Sequence, residues 1–454
     1  MPFLKKIHLI IKNNHFQSLL GNGVMALFGI LTLSILYHAL SLFDMGIYVF
    51  FITIIGLVDT LKTGFLTNGY IKFYSGTNLK RSKEVAGSAW YLAILITLFL
   101  ILINLISYFI SFYYHNEGMN LFNSYFWLIT LSTLPSFMAN LSVQADGKFD
   151  RLLWLRLINQ LIFVVGIILL ILFKKSTLIA IVYIQIFSNS ITSIATLAFG
   201  WTKIRTLFYS TKATVFELFH FGKYSMGTSL SSNLFKVTDT FFINFFLGPS
   251  GLALYNLGGR LVQIFEIPML SLAASGMPIL AAHYNNCRQE EMLFFMKKII
   301  GMLTIVFVVL AILSVIFADP IISLIGGSKY IHTAAPNLFR IFISIAIFYP
   351  TERFLALVLD VVHKPKINFY KILIMLGINL IADYIGVILF KSVYAVVITN
   401  IFPVFAGILI AYYSLKKDLR FNFIDIYKTG YEEILFFIKK TGENLNPFKA
   451  RFLN

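Results

Sequence analysis

Apolar segments of about 20 residues recur along the whole chain and are separated by short polar stretches. A helix of this length crosses the hydrocarbon core of a bilayer. The composition agrees, because 58% of the residues are hydrophobic, 13% are charged and the mean hydropathy is +0.81, which is far from soluble averages. The pattern predicts an all-α membrane protein with about twelve transmembrane helices. We place the spans at residues 19–40, 45–73, 87–112, 120–142, 152–173, 177–200, 221–247, 251–284, 297–318, 337–360, 368–390 and 392–414.

The short loops limit what else the chain can contain. About a dozen spans use most of the 454 residues, so we expect no sizeable soluble domain and a function located inside the helix bundle. Cys287 is the single cysteine, which excludes an intramolecular disulfide, and no Cys/His group has zinc-like spacing. We therefore expect neither a metal nor a cofactor. The apolar stretch 19–40 is too long for a signal peptide and is expected to be a retained first helix.

Positive charges are unequally distributed between the two sides of the predicted bundle. The formal net charge is +17, and most Lys and Arg residues fall in loops on the side of the termini, with Lys174, Lys175, Lys329 and Lys391 opposite. By the positive-inside rule, both termini are expected to be cytoplasmic. This count includes Lys371 among the loop residues on the side of the termini. We interpret the basic loops as anchors facing anionic lipid, and we expect no nucleic-acid binding.

Two similar segments indicate an internal repeat. Leu40–Tyr48 and Leu247–Tyr255 have the same length and ending, at an offset of 207 (255 − 48). The same offset aligns Asp59 with Glu266 (266 − 59 = 207), so an acidic residue is expected at the same depth in each half. Parallel repeats of this kind are typical of secondary transporters. We predict two six-helix lobes at 1–201 and 221–415, a cytoplasmic linker at 202–220, and a basic tail at 416–454 that contains an interfacial helix.

The seventh span carries two charges near its middle. Lys236 and Asp239 are three residues apart, and a charge at the centre of a membrane helix costs about 2.5–3.5 kcal/mol. Helical spacing puts them on one polar stripe with Ser229, Ser232, Asn233, Thr240 and Asn244. The stripe predicts that this helix lines a water-filled cavity. The alternative is an internal ion pair that only neutralises itself.

The second and eighth spans contain further charges. Asp59 and Lys62 are also three residues apart, and both interpretations, structural pair and functional site, apply to them. Arg260 and Glu266 stand in the eighth span with Pro268 just beyond. A proline at that place frees backbone carbonyls, so the helix is expected to bend or break.

The tenth and eleventh spans contain further charged residues, among them Glu352, Arg353 and Asp383. Glu352 and Arg353 are adjacent, so they point in different directions and are not expected to pair with each other. Asp383 has no obvious local partner in the sequence. Charges inside a membrane generally face a bundle interior or a cavity, which is where we expect these side chains.

The segment that joins the seventh and eighth spans allows a resemblance to be named. Its pattern, Leu-Gly-Pro-x-x-x-Ala-x-Tyr-Asn-Leu at Leu247–Leu257, with Arg260 following and Asp239 preceding, resembles the polysaccharide transporter family of lipid-linked oligosaccharide flippases. That family belongs to the superfamily that also holds MATE drug exporters and lipid II flippases. The copy at Leu40–Tyr48 departs from the pattern, with Phe43 and Asp44 in place of Gly-Pro-like residues.

The resemblance implies a two-lobed flippase of the bacterial cytoplasmic membrane. Its cargo would be an undecaprenyl-diphosphate-linked oligosaccharide, such as a repeat unit of O-antigen in lipopolysaccharide, moved from the cytoplasmic to the periplasmic leaflet by alternating access. A polysaccharide polymerase and a chain-length regulator would be partners. Such a protein is a transporter and not an enzyme.

This cargo suggests roles for the charged residues. A diphosphate is bound well by Lys or Arg in a low-dielectric cavity, and sugars require amide and hydroxyl partners. We predict that cargo is bound by Lys62, Lys236, Arg260, Arg353, Asn233 and Asn244. Carboxylates exchange protons or sodium ions in pumps and transporters. We predict that ion coupling uses Asp59, Asp239 and Glu266.

Two other functions fit the same hydropathy. A cation-coupled drug or metabolite antiporter would bind cations mainly through its acids, whereas several bases in the spans of this chain favour an anionic cargo. A membrane glycan polymerase or glycosyltransferase would need catalytic carboxylates or arginines on a large extracytoplasmic loop. The longest such loop expected here, 318–337, is short.

Overall fold

The computed structural model describes residues 14–111 and 116–451. Every regular element in these ranges is a helix. The chain divides into two compact units. Unit 1 runs to Ala253 and includes Ile325–Gly327, and unit 2 contains Leu254–Leu324 and the residues from Ser328 onward. Both chain termini lie outside the described residues, so their cytoplasmic location stays a prediction.

Unit 1 contains the helices that precede the predicted eighth span. They are α1 (Asn14–Ala39), α2 (Leu42–Tyr74), α3 (Leu79–Ile110), α4 (Glu117–Ala145), α5 (Phe149–Leu172), α6 (Leu178–Ala198), a 3-10 helix (Ile204–Tyr209) and α7 (Lys212–Phe246). Short polar residues fix where several of them begin. The side chains of Ser41, Asn78 and Thr177 each accept a hydrogen bond from a backbone N–H in the first turn of the following helix, which satisfies a donor that the helix itself leaves unpaired.

Unit 2 contains the remaining helices. They are α8 (Gly248–Asn285), α9 (Gln289–Ile316), α10 (Ala318–Gly326), α11 (Ala335–Ala346), α12 (Tyr349–Val361), α13 (Pro365–Phe390), α14 (Val393–Thr399), α15 (Ile401–Lys416) and α16 (Phe423–Arg451). The predicted tenth span is interrupted just before Pro350, because a proline is tolerated in a first turn but not in a helix interior. Helix α8 nevertheless continues through Pro268 and Pro278.

Ten helical segments of the described chain are long and apolar enough to cross a membrane. Two of these segments combine consecutive short helices, Ala335–Val361 and Val393–Lys416. The other two predicted spans correspond to α1, whose apolar part in the described residues is Leu27–Ala39, and to α7, which carries the polar stripe. The prediction of an all-α, multi-pass membrane protein is confirmed.

Helices α2 and α7 pack closely against each other within unit 1. A Cβ atom on Gly64 of α2 would lie 2.8 Å from the Cβ of Ser229 on α7, so only a glycine fits there. One turn further along α2, Asn68 Nδ2 donates a hydrogen bond to Ser225 Oγ at 2.9 Å. The two contacts occur in opposite order along the two helices, which are therefore antiparallel. Small residues permit such close approach of helices in membranes.

The contacts of α7 bear on the predicted domain boundaries. They assign α7 to unit 1, and residues 202–220 form the 3-10 helix Ile204–Tyr209 and the first turns of α7. The division into six-helix lobes at 1–201 and 221–415, which the internal repeat suggests, stays a prediction.

The tail contains helix α16, which packs against other helices of unit 2. A Cβ atom on Gly430 of α16 would lie 2.3 Å from the Cα of Gly301 on α9, so the two backbones touch. The hydroxyls of Tyr427 and Thr351 are 3.0 Å apart, and burial raises the pKa of Tyr427. Helix α16 is thus held by α9 and α12, and its location at the membrane interface stays a prediction.

The single cysteine offers a test of topology. Cys287 is exposed in the turn between α8 and α9, and the charge asymmetry predicts that this turn is cytoplasmic. We expect a membrane-impermeant maleimide to label the protein in inside-out vesicles and to leave it unlabelled in intact cells. Cys287→Ser is the matched control, because no other cysteine is present. Labelling of intact cells would reverse the predicted orientation.

Candidate functional site

Asp59 and Lys62 form an ion pair inside the spanning helix α2. Lys62 Nζ lies 2.9 Å from Asp59 Oδ1. The two partners differ in accessibility, since the Lys62 side chain is 4% exposed and that of Asp59 is 47% exposed. The structure therefore brings together one predicted cargo-binding residue and one predicted coupling residue. A molecule that approaches this part of α2 meets the carboxylate first and the ammonium behind it.

The polar stripe of α7 is partly engaged in structural contacts. Asn233 Nδ2 donates a hydrogen bond to the carbonyl of Ser229 on the same helix at 3.0 Å. Asn244 is buried, and its Nδ2 donates to Asn116 Oδ1 at the start of α4 at 3.3 Å. Asp239 is also buried. The side chain of Lys236 lies outside the described residues, and its role in cargo binding stays a prediction.

Two of the predicted site residues, Arg260 and Glu266, lie on α8. Arg260 is exposed and its Nη1 donates a hydrogen bond to Gln263 Oε1 at 3.1 Å. Glu266 is half-buried. Asp59 stands 17 residues after the first residue of α2 (59 − 42), and Glu266 stands 18 after the first residue of α8 (266 − 248). The offset of 207 therefore matches positions along the two helices, while equal depth in the membrane stays a prediction.

A second ion pair with a buried ammonium lies in unit 2, at a residue that the sequence misassigned. Lys371, counted as a cytoplasmic loop residue, is on α13 with a side chain only 1% exposed, and its Nζ is 2.6 Å from Glu352 Oε1 on α12. Assignment of Lys371 to a loop was wrong because the first turns of α13 are polar enough to resemble one. Arg353, a predicted cargo-binding residue, is exposed on the next position of α12.

A buried carboxylate forms the Asp383 cluster, which consists of Asp383, Asn379 and Thr399. Thr399 Oγ1 donates to Asp383 Oδ1 at 2.7 Å, and Asn379 Nδ2 donates to Asp383 Oδ2 at 3.1 Å. Asp383 and Asn379 are fully buried, and the Asn379 Oδ1 atom has no hydrogen-bond partner among the described residues. The expectation that Asp383 lacks a local partner was wrong, because Asn379 lies one turn before it on α13.

The Asp383 cluster has the chemistry of a site for a small cation. Its oxygen atoms come from a carboxylate, an amide and a hydroxyl, and the carbonyl of Val396 accepts a hydrogen bond from Thr399 at 2.9 Å. Hard cations prefer such oxygen ligands, and a single carboxylate matches one positive charge. No group of three His, Cys, Asp or Glu side chains suited to a metal ion occurs in the described part of the chain.

Unit 1 contains an amide cluster that the sequence did not single out, formed by Thr32, Asn159, Gln160 and Asn189. Asn159 Nδ2 on α5 donates to Asn189 Oδ1 on α6 at 2.9 Å. Gln160 Nε2 donates to Thr32 Oγ1 on α1 at 2.6 Å. Asn159 and Asn189 stand near the middle of their helices and are half-buried. The amide cluster could have been predicted from the sequence, because polar residues stand at the middle of two consecutive apolar helices.

Taken together, the apolar spans define a multi-pass helical membrane protein. Residues 11–283, well over half of the chain, match the model of the family described as polysaccharide biosynthesis protein. The chain belongs to this family. A second family model, described as MatE, matches residues 225–385. No curated protein sequence shows a significant match.

Solved structures with a similar fold are transporters of the MOP superfamily. An inward-facing multidrug resistance MATE family transporter matches with a TM-score of 0.70 and 16% identity, over 86% of this chain and 95% of that chain. The lipid II flippase MurJ, in an inward closed conformation, matches with a TM-score of 0.68 and 15% identity, over 93% and 92%. A MOP superfamily transporter from Pyrococcus furiosus gives 0.58 and 16%, over 88% and 95%. The fold is that of this superfamily.

Proposed function

We propose that the protein is a flippase that moves an undecaprenyl-diphosphate-linked oligosaccharide across the bacterial cytoplasmic membrane by alternating access. Membership of the polysaccharide biosynthesis protein family supports a role in making a surface glycan. The similarity in fold to the lipid II flippase MurJ supports a lipid-linked cargo. In this proposal, a polysaccharide polymerase and a chain-length regulator use the product in the periplasm.

The observation that carries the proposal is the buried ammonium of Lys62 behind a half-exposed carboxylate. A phosphate oxygen and a carboxylate oxygen are similar acceptors, so a diphosphate can replace Asp59 as the partner of Lys62. The ion pair then keeps Lys62 charged and oriented while no cargo is bound. The ammonium of Lys62 then has a counter-charge both before and after the diphosphate binds. A buried cation that waits unpaired for its cargo would cost more free energy. Lys236, Arg260 and Arg353 contribute further positive charge in this proposal.

The glycan requires a different kind of partner. Sugars present many hydroxyls and no charge, and amide side chains both donate and accept hydrogen bonds. The amide cluster of unit 1 supplies such groups near the middle of α5 and α6. We assign it to glycan recognition, together with Asn233, whose amide is half-buried.

Ion coupling requires a carboxylate that a small cation can reach. The Asp383 cluster supports this role, because its fully buried carboxylate lies beside the amide of Asn379 and the hydroxyl of Thr399. Asp239 and Glu266 remain candidates, because both lie in spanning segments of the same chain. Binding of a proton or a sodium ion at Asp383 removes a buried negative charge and thereby changes the relative stability of transporter conformations.

Transport by Lys62 variants tests the proposal. Purified protein is reconstituted into liposomes with a polyprenyl-diphosphate-linked disaccharide, and transfer between leaflets is measured as protection of the sugar from an impermeant oxidant. We expect Lys62→Gln to reduce the rate at least about tenfold, because it removes a charge-assisted contact with the diphosphate worth about 1.5–3 kcal/mol. Lys62→Arg is expected to keep partial activity, since the positive charge is retained.

The double variant Asp59→Asn/Lys62→Gln separates binding from simple neutralisation. If Lys62 only balances Asp59, the double variant recovers the transport lost in Lys62→Gln, because no charge is left unpaired. We expect it to stay inactive, which supports cargo binding. Lys366→Gln, at an exposed position of α13, is the matched control and is expected to transport normally.

A cation-coupled drug antiporter is the second candidate. The match of residues 225–385 to the MatE model and the fold shared with a multidrug resistance transporter favour it. The same liposomes distinguish the two functions. Counter-transport of a lipophilic cation such as ethidium against an imposed ion gradient, without movement of the lipid-linked disaccharide, would establish the antiporter.

A further inference from the structure

A cleft of about 590 Å³ lies where α3 begins, between that helix and the segment that leads into α7. Both walls belong to unit 1. One wall contributes Lys80, Lys83 and Glu84, and the other contributes Phe208, Ser210 and Thr211. None of these residues takes part in the proposed transport site, so the cleft needs an explanation of its own.

The wall formed by the 3-10 helix is fixed to α3. Trp90 Nε1 donates a hydrogen bond to the carbonyl of Thr202 at 2.8 Å. A Cβ atom on Gly87 would lie 2.1 Å from the Thr206 carbonyl oxygen, so the backbone approaches α3 as closely as a glycine permits. Both contacts are buried within the helix pair. These contacts fix the position of this wall, so the cleft is a stable feature of folded unit 1.

The two ends of this wall are fixed as well. The backbone N–H of Thr211 donates to Ser88 Oγ at 3.3 Å. At the other end, Lys203 Nζ is 2.8 Å from Asp146 Oδ1 at the end of α4. Burial favours the neutral form of Asp146, but Lys203 outweighs this effect and holds the pKa of Asp146 below its usual value. The segment is thus held by neighbours on both α3 and α4.

The charge inside the cleft is positive. Lys83 Nζ lies 5.3 Å from the centre of the Tyr209 ring, and Lys80 is exposed. Neither lysine forms an ion pair with a carboxylate among the described residues. Glu84 is the acid of the cleft, and Arg81 Nη1 stands 3.8 Å from its Oε2. Two ammonium groups are therefore available to an anion, beside the hydroxyls of Ser210 and Thr211.

The rim of the cleft is apolar and exposed. Phe208 is 90% exposed, Leu79 is 74% exposed and Tyr209 is 53% exposed. Aromatic residues beside lysines at the end of a membrane span are typical of the headgroup layer. A free anion in water would gain nothing from such a rim, whereas an anionic lipid can place its phosphate on the lysines and its acyl chains against the apolar side chains.

We propose that this cleft binds the phosphate of an anionic phospholipid, with Lys80 and Lys83 as the cationic partners. Each lysine near an anionic membrane surface strengthens binding about fivefold, so the pair is expected to give a preference of about 25-fold for phosphatidylglycerol over phosphatidylcholine. This site is independent of the proposed cargo site and holds for either candidate function.

Native mass spectrometry of the purified full-length protein tests the proposal. Phosphatidylglycerol and phosphatidylcholine are titrated separately into the same detergent, and retained lipid is counted. Lys80→Gln/Lys83→Gln is expected to bring phosphatidylglycerol to within about twofold of phosphatidylcholine. The matched control, Lys174→Gln/Lys175→Gln, removes two exposed lysines from the turn between α5 and α6 and is expected to keep the full preference.

Further measurements distinguish a phospholipid from inorganic phosphate and from undecaprenyl phosphate as the bound ligand. Inorganic phosphate at millimolar concentration is expected not to displace phosphatidylglycerol, and Phe208→Ser is expected to weaken the lipid several-fold. Displacement by inorganic phosphate would show a site for a free anion, and tighter retention of undecaprenyl phosphate would show a site for cargo lipid. Either result, or a lysine double variant that keeps the preference while eluting as folded protein, would overturn the proposal.

Discussion

Replacing Lys371 with methionine is expected to lower the free energy of unfolding by about 1.5–3 kcal/mol, the usual contribution of a hydrogen bond to a charged group, because the Glu352 side chain left behind is 22% exposed. The ammonium is almost completely buried and lies 2.6 Å from Glu352 Oε1. Without it, the carboxylate on α12 loses its counter-charge while it remains inside unit 2. Methionine keeps most of the volume of the lysine side chain, so changes in packing add little. Denaturant unfolding in mixed micelles measures the effect.

Two further variants identify the cause of that loss. Lys366→Met makes the same change at an exposed position of the same helix, and it is expected to alter stability by less than about 0.5 kcal/mol. The double variant Glu352→Gln/Lys371→Met removes both charges and is expected to recover most of the lost stability. Equal stability of Lys371→Met and Lys366→Met would show that the buried pair does not hold α12 and α13 together.

The fold class could be predicted from sequence because the bilayer imposes a simple rule. A spanning helix must satisfy its backbone hydrogen bonds internally and present about 20 apolar residues, and both requirements are local in the sequence. The predicted span 45–73 accordingly lies within the observed helix Leu42–Tyr74. Helix breaks were less predictable. Pro350 interrupts a span whereas Pro268 does not, because neighbouring helices decide whether freed carbonyls find partners.

Side-chain contacts were predictable only where the partners are neighbours on one helix. Asp59 and Lys62 stand three residues apart, and they form the expected ion pair. Asn379 and Asp383, four residues apart, carried the same kind of signal, although it was overlooked. Pairing of Lys371 with Glu352 joins two helices, and helical spacing contains no information about which faces of different helices meet. A lysine near a helix end was therefore mistaken for a loop residue.

Replacing Asp383 with asparagine is expected to weaken cation binding about 100-fold or more and to abolish dependence of transport on an ion gradient. The variant keeps the size of the side chain but loses the charge that a cation requires, and loss of even a supporting group costs about 10–100-fold in metal affinity. A cation that binds only the folded protein raises its stability with concentration. The melting temperature, measured as sodium replaces choline at constant ionic strength, reports binding without any cargo.

Control variants separate the carboxylate from its surroundings. Thr399→Val removes the hydroxyl that donates to Asp383 at 2.7 Å while it keeps the shape of the side chain, and a roughly tenfold weaker response is expected. Asp150→Asn makes the same chemical change at an exposed position in the first turn of α5 and is expected to respond like the wild-type protein. If the proton is the coupling ion, sodium has no effect on melting, and the dependence of transport on an imposed pH gradient is lost in Asp383→Asn alone. A variant that responds to both cations as the wild-type protein does would exclude Asp383 as the coupling site, because the buried negative charge would then serve only its hydrogen bonds to Asn379 and Thr399.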